Sequence, residues 1–402
     1  MPTPARQDGV TYTFEPLTVN GSGNSKRCEV CGSRLKRNGK TTAGTQRWRC
    51  VDCGSSSVRR RPDLARRAEL DRFLRWMMGK DSQASFGPGQ GRTFRRTTAW
   101  CWNIEPTLPV TGEIHDQIQM DGIYLGRGWC CLIAIANGYV IGWQWCDTEK
   151  KAAWLALLDQ FPAPRVVIID GGSGLASALA QAWPETRIQR CLVHVQRNVR
   201  THLTLRPRTE AGRALRRISL ALTRIRTREE ASGWMQALNR WHAEHGDMIK
   251  ERTYPYGPRQ AGAGTAPTWW YTHDRLRKAY RLMERLTKHG HLFTYLHPEL
   301  EEHGIESTTN RIEGGVNTQL LALLRDHRGM PPAHAKRAIE WWLHTHGENP
   351  APPHTLIRPE HHTREPTQKE IAEEKIGPDM LGTALSETEG LWVRKGWAGR
   401  PC

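Results

Sequence analysis

No stretch of this chain is apolar for long enough to cross a bilayer. The most apolar segment, Trp129 to Trp143, is broken at its middle by Asn137-Gly138, whereas a membrane-spanning helix needs about 20 consecutive apolar residues. The opening residues, Met1-Pro-Thr-Pro-Ala-Arg6, lack the apolar run of a secretory signal. A disulfide framework is also missing. Of the ten cysteines, four form two CxxC pairs, and the others stand singly or as the adjacent Cys130-Cys131. That distribution suits a reducing compartment. Apart from the CxxC pairs, no internal repeat is visible. The expectation is a soluble, cytoplasmic chain with no membrane partner.

Negative charge is in short supply. Lys and Arg number 58 against 41 Asp and Glu, a formal net charge of +17. Such a chain should meet a polyanion, and nucleic acid is the usual one; a merely solvated cationic surface is the bland alternative. The distribution says more than the total. Residues 1–100 hold 20 basic and 8 acidic side chains, residues 101–190 hold 6 and 9, and residues 191–300 hold 20 and 9. Two basic blocks flank a slightly acidic one. An enzyme needs this arrangement if its flanks grip phosphate while a carboxylate centre holds divalent metal.

The chain divides by pattern. Residues 1–25 read as a loose leader and 26–60 hold the paired cysteines. Residues 61–112 read as a helical DNA-binding region, with Pro62 opening a helix from Asp63 to Met78 and a second helix over Thr93 to Asn103. Arg92, Arg95 and Arg96 mark that second helix. The pair resembles a helix-turn-helix, although Gly87-Pro88-Gly89 between them also fits a helical linker packed on the core. From residue 113 strands take over. Gln117 to Tyr124 alternates in part, and Trp129–Ala136 and Tyr139–Trp145 flank Asn137-Gly138, a strong hairpin signal because both turn residues need φ > 0. A helix from Lys150 to Gln160, a buried strand Val166-Val-Ile-Ile, a helix from Leu175 to Trp183 and a strand over Thr186 to Gln189 follow. Three strands, helix, strand, helix, strand, antiparallel first and parallel later, is the order of an RNase H-like α/β mixed sheet. Residues 195–300 read as an Arg-rich helical insertion, 301–348 return to the core as helices, and 349–402 read as an irregular tail.

Cys28-Glu-Val-Cys31 and Cys50-Val-Asp-Cys53 are 18 residues apart. Each CxxC turn presents two thiolates to one side of a tetrahedral ion, so the two predict a four-cysteine Zn²⁺ ribbon. Arg34, Lys36, Arg37, Arg47 and Arg49 around it point to DNA contact, with a purely structural or dimerising ribbon as the other option. Asp121 ends an apolar-patterned strand and Asp170 ends Val-Val-Ile-Ile. Carboxylates beside buried strands are costly unless a cation or donor meets them, and Mg²⁺ prefers such oxygens. Asp116 is better read as a strand-start cap and Asp159 as an exposed helix residue. Cys191-Leu-Val-His194 could ligate, but packing and hydrogen bonding at the site wall fit it better. A third acid is offered by Glu313, in the first turn of a helix capped by Thr309 or Asn310, with Glu306 as the alternative.

Met120-Asp121-Gly122, Val-Val-Ile-Ile-Asp170-Gly-Gly, Gln189-Arg-Cys191-Leu-Val-His194 and Thr308-Thr-Asn-Arg-Ile-Glu313 together resemble bacterial insertion-sequence transposases related to the Mutator elements. The likeness covers roughly residues 115–345. It implies a DDE site of Asp121, Asp170 and Glu313 holding two Mg²⁺ or Mn²⁺ ions, supported by Cys191, His194 and Asn310. It also implies a helical insertion between the second Asp and the Glu. The implied function is cleavage at element ends and strand transfer into target DNA. The implied partners are terminal inverted repeats and target DNA, bound by a homodimer or larger homo-oligomer at the bacterial nucleoid. Three other readings are open to this sequence. A catalytically inactive, transposase-derived DNA-binding protein would keep the ribbon and lose an acid, yet all three acids are present. An RNA-guided nuclease would place its ribbon within or after the late core. A zinc-ribbon transcription factor leaves the acidic strand block unexplained.

Overall fold

The computed structural model describes residues 27–362 and 391–392, except 29, 43, 45, 58–61, 87–88, 127 and 255–268. The expected leader, the Gly87-Pro88 break, most of the Gly- and Pro-rich loop after Arg252 and nearly all of the tail after His362 therefore lie outside the described residues. The chain forms two compact units, Met1–Phe73 and Leu74–Cys402.

The first unit contains a three-stranded antiparallel sheet, β1 (Leu35–Lys40), β2 (Gln46–Cys50) and β3 (Ser56–Ser57), in the order β1-β2-β3. Helix α1 (Pro62–Met78) crosses the unit boundary, with proline in the first turn as expected. In the second unit, α2 (Gln90–Thr98) runs into a 3₁₀ turn, Ala99–Asn103. Phe94 of α2 and Trp102 pack edge-on against Trp76 at centroid distances of 5.2 and 6.3 Å. His327 joins them at 4.8 Å. From Leu74 onward the helical region thus shares one compact unit with the core.

The core strands are β4 (Gln117–Gly126), β5 (Trp129–Ala136) and β6 (Tyr139–Cys146), then helix α3 (Lys151–Leu158), β7 (Val166–Ile169), α4 (Ser173–Ala182) and β8 (Arg187–Arg190). Asn137 and Gly138 both have positive φ, 52° and 88°, so the β5–β6 turn has the geometry its sequence demands. β4 pairs antiparallel with β5 and parallel with β7, and β7 pairs parallel with β8. Next come α5 (Leu192–Leu203), α6 (Glu210–Ala221), α7 (Arg228–His245), a small ladder of β9 (Arg252–Thr253) and β10 (Trp270–Tyr271), and α8 (Asp274–Lys288). A π-helix, Arg311–Asn317, continues into α9 (Thr318–Asp326), followed by α10 (Pro332–Thr345). Finally β11 (Leu391–Trp392) pairs antiparallel with β6. The six-stranded sheet runs β11-β6-β5-β4-β7-β8. The tail, expected to be irregular, therefore supplies an edge strand.

α3 and α4 cover one face of the sheet through Trp154, Leu157, Leu175 and Ala178 against Met120, Leu132 and Ala134. Each fully buried Leu or Val in such a layer contributes roughly 1.5–3 kcal/mol. Elsewhere Val166 and Ile168 meet Leu300 and Ile305. Glu340 of α10 accepts a hydrogen bond from Trp145 Nε1 at 3.0 Å. The insertion has a separate core, with Val195 and Val199 of α5, Leu215, Trp234, Leu238 and Met283. Its amphipathic helices bury their apolar stripe inward and leave arginines outward. No helix among the described residues is long and apolar enough to cross a membrane.

Candidate active site

The parallel register brings the two aspartates together. β4 and β7 pair Gln117↔Val166, Ile118↔Val167 and Gln119↔Ile168. Asp121 and Asp170 each stand two residues beyond the last pair, level with one another. Asp121 lies mid-strand, paired with Ile133 of β5, and not at a strand end as its sequence suggests. β5 accompanies β4 to Gly126, while β7 stops at Ile169.

Each aspartate has local donors. Gly122 N donates to Asp121 Oδ1 at 3.0 Å, and Gly172 N donates to Asp170 Oδ1 at 2.9 Å. Asn317 Nδ2 donates to Asp121 Oδ2 at 2.8 Å. The Asn317 Oδ1 atom is buried with no hydrogen-bond partner among the described residues. Burial first, then the charge of Asp170, pushes the Asp121 carboxyl up to about 6; His194 opposes the shift and Glu313 adds to it. Behind Asp170, Gly171 takes a φ of 99°, and Arg190 Nη2 donates to the Asp170 carbonyl. The positive φ at Gly171 is one that L side chains rarely adopt, so this turn requires glycine.

A fourth carboxylate, absent from the sequence reading, joins them. Glu149 sits just before α3, and burial followed by the charges of Asp170 and Asp121 pushes it up to about 7. Its sequence signal is weak, because an acid ahead of a helix reads as a complement to the helix dipole.

Glu313 arrives on the π-helix. Its Oε1 is 3.2 Å from His194 Nδ1 and its Oε2 is 2.5 Å from Arg197 Nη1. Thr309 Oγ1 donates to Oε1 at 3.2 Å. Cys191, at the start of α5, accepts from Thr309 N at 3.3 Å. Burial works against the Cys191 thiolate, yet hydrogen bonds from His194 and Thr309 hold its pKa below the ordinary value. The hydrogen bond with Cys191 likewise raises that of His194. Ligand atoms of Cys191, His194 and Glu313 lie within 4.8 Å of one another. The structure therefore brings Cys191 and His194 to Glu313. Asn310 is not brought in as a cap: it is exposed, and its side chain makes no capping bond. Thr309 holds Glu313 and Asn317 holds Asp121 instead. The rival acids are engaged elsewhere. Glu306 bonds Arg311 at 2.6 Å and Gln119 at 2.7 Å, and Asp116 pairs with Arg165 at 3.1 Å and His303 at 2.9 Å.

In the first unit the Sγ atoms of Cys28, Cys31, Cys50 and Cys53 lie within 4.8 Å of one another. Cys28 and Cys53 are 3.6 Å apart, and Cys31 and Cys50 are 3.4 Å apart. Lys36 stands opposite Arg49, and Arg37 opposite Trp48. By strand alternation Arg34, Lys36, Arg47 and Arg49 share one face, and Arg37 is on the other. On α2, Arg92, Arg95 and Arg96 are exposed at i, i+3 and i+4. Arg95 donates to Gln83 at 2.7 Å.

Residues 125–252 match the model of the family described as Transposase, Mutator family. The transposase for insertion sequence element IS905 of Lactococcus lactis subsp. lactis (strain IL1403) is 35% identical over 65 residues, 15% of this chain and 17% of that protein. The transposase for insertion sequence element IST2 of Acidithiobacillus ferrooxidans is 38% identical over 82 residues, 19% of this chain and 28% of that protein. The chain thus spans less than a third of either relative. The segment that matches this family model contains Glu149, Asp170, Cys191, His194 and Arg197, with Asp121 and Glu313 on either side.

Proposed function

We propose that the protein is a DDE transposase with an RNase H-like core, which cuts DNA at insertion-sequence ends and joins those ends to target DNA. The observation that carries this reading is the register placing Asp121 beside Asp170 in a chain that matches the Mutator-family model. Two carboxylates side by side, with Asp121 pushed up by burial and by Asp170, form a site that a hard cation relieves. The unpaired buried oxygen of Asn317 fits the same conclusion. Asp121, Asp170 and Glu313 would hold two Mg²⁺ or Mn²⁺ ions, which supply Lewis-acid stabilisation of the attacking and leaving oxygens of a phosphodiester.

The chain's own groups do the rest. Water attacks the phosphodiester at the element end, the P–O bond breaks, and the leaving oxygen becomes a 3′-hydroxyl. That hydroxyl then attacks a target phosphodiester: its oxygen forms the new P–O bond and the target's own P–O bond breaks. The target's 3′-oxygen leaves as a hydroxyl that takes up a proton in place of the one lost, without a covalent protein intermediate. Asn317 and Gly122 fix the Asp121 carboxylate, Gly172 fixes that of Asp170, and Thr309 with Arg197 fixes Glu313. The arginines outside the insertion's core would track flanking DNA through phosphate contacts. The four-cysteine cluster suits Zn²⁺: four sulfurs at the Zn–S distance of about 2.3 Å sit roughly 3.8 Å apart, close to the spacing observed. The cationic face of β1 and β2, with Arg92 and Arg96, would meet the terminal inverted repeats. Joining two ends in one reaction calls for a homodimer or larger assembly, and the setting would be the bacterial nucleoid.

The test is strand transfer of a pre-cut end into plasmid DNA, with the end carrying either a 3′-hydroxyl or a 3′-deoxy terminus. Joining only with the hydroxyl, lost in Asp170→Asn while binding persists, supports the proposal. Equal binding by wild type and variant with no joined product from either identifies a DNA-binding derivative that has lost catalysis.

A further inference from the structure

We propose that Glu149 is a fourth carboxylate ligand of the divalent-cation site formed by Asp121 and Asp170, an inference that rests on the cation-binding reading above. Three observations carry it. The first is position. A Cβ at Gly122 would fall 2.5 Å from Glu149 Cδ, so the carboxylate lies directly over the residue after Asp121. A Cβ at Gly172 would lie 3.7 Å from Asp170 Oδ1 and 4.0 Å from Glu149 Oε2. The Glu149 carboxylate therefore lies over Gly122 and near Gly172, the glycines that follow the two aspartates, in space that glycine leaves open on both sides.

The second observation is rigidity. The Asp147 side chain is buried and accepts from Thr148 N at 2.6 Å, and Lys150 N donates to Thr148 O at 2.8 Å. Glu149 N donates to the Tyr124 hydroxyl at 3.4 Å. A Cβ at Gly174 would fall 2.2 Å from the Glu149 carbonyl oxygen, so the α4 backbone is pressed against this turn. The turn is held from both sides, which is what a ligand delivered from outside the strands needs.

The third is an unmet charge. The Glu149 carboxylate is half-buried and has no hydrogen-bond or ion-pair partner among the described residues. Its basic neighbour Lys150 is 3.4 Å from Asp147 instead. The bland role is to complement the α3 dipole, which needs no direct bond and does not account for a carboxylate set beside two others. A half-buried carboxylate beside two others is unfavourable, and a shared cation is the partner that resolves all three. Unlike Asp121 and Asp170, Glu149 comes from outside the strand pair, on the turn just ahead of α3.

The experiment is Mn²⁺ binding to the full-length, zinc-loaded protein without DNA, followed by electron paramagnetic resonance and by thermal unfolding. Wild type, Glu149→Gln and Asp170→Asn are compared. Glu149→Gln is expected to weaken Mn²⁺ binding about tenfold or more, on the scale of disturbed metal sites. It should also raise the melting temperature of the Mn²⁺-free protein and shrink the rise that Mn²⁺ produces. If Glu149→Gln binds Mn²⁺ as wild type does while Asp170→Asn loses binding, Glu149 is no ligand and the proposal falls alone. If Asp170→Asn also binds unchanged, the cation-binding reading beneath it falls. Circular dichroism checks folding. Should Glu149→Gln not fold, Gly122→Ala, whose methyl displaces the carboxylate, decides in the same way: weaker Mn²⁺ binding supports the proposal and unchanged binding overturns it.

Discussion

Asn317 Nδ2 donates to Asp121 Oδ2 at 2.8 Å, tying the last residue of a π-helix to the middle of a strand 196 residues earlier in the chain. π-helical turns occur mostly at functional sites, where they re-aim side chains. Here the wider turn presents Glu313 to His194 and Asn317 to Asp121 from one segment. Removing the amide leaves Asp121 short of a donor without opening a core. Asn317→Ala should therefore cut DNA-cleavage rate by about 10–100-fold, the usual cost of losing a group that orients a metal ligand. The melting temperature should change little, and raised Mn²⁺ should restore part of the rate. A rate equal to wild type at low Mn²⁺ would remove Asn317 from the account.

Metal-free stability should fall with rising pH. Asp121 is pushed from an ordinary 3.8 up to about 6, and Glu149 from 4.5 up to about 7. Between these limits the folded chain holds more protons than the unfolded one, so stability declines as pH rises through the window. The charged groups facing Asp121 are Asp170, Glu149, Glu313 and His194, and of these only His194 carries the opposite charge. In Mg²⁺-free urea unfolding, Asp121→Asn should gain on wild type from pH 4 to 7, and Mg²⁺ should narrow the difference at neutral pH. A difference that stays flat across the window contradicts the shared-charge picture.

Much of this is legible in the sequence. Asn137-Gly138 announced the hairpin because few residue pairs accept positive φ twice, and Val166 to Ile169 announced a strand buried on both faces. Asp121 and Asp170 are legible as two carboxylates beside apolar-patterned strands, but the β4–β7 register that levels them is not, because the crossover helix read from the sequence joins β7 to β8. What escaped has a physical reason. Asn317 and Glu149 act through contacts that no local period encodes. The π-turn is α-helical in its apolar spacing. Asn310, next to a helix start, looked like a cap, yet Thr309 took the Glu313 carboxylate and left it exposed. The tail's Leu391–Trp392 joins β6 by backbone pairing, which leaves only a faint mark on side-chain pattern.

The four-cysteine cluster should hold one Zn²⁺ per chain. Cys50→Ser should lower zinc content by one equivalent in elemental analysis, and it should weaken binding to end-bearing DNA in gel shifts. Retention of a full equivalent would mean the sulfurs serve another purpose.

The two faces of the β1–β2 hairpin should differ in their effect on DNA. Arg49 shares its face with Lys36, whereas Arg37 pairs across to Trp48 and lies 5.9 Å from its ring. Like charges directly opposite one another are unfavourable unless an anion meets them. Arg49→Ala should reduce the slope of log affinity against log salt by about 0.9, one phosphate contact, and Arg37→Ala should leave it nearly unchanged. Equal slopes for both variants would place the DNA elsewhere.

The most direct measurement is Mg²⁺-dependent nicking of DNA that carries the element's ends, by wild type and Asp121→Asn, with binding followed on the same samples. The account predicts a nick with a 3′-hydroxyl from wild type, none without Mg²⁺, and none from Asp121→Asn although it binds the DNA equally. Nicking by Asp121→Asn at the wild-type rate, or nicking that ignores Mg²⁺, would contradict it.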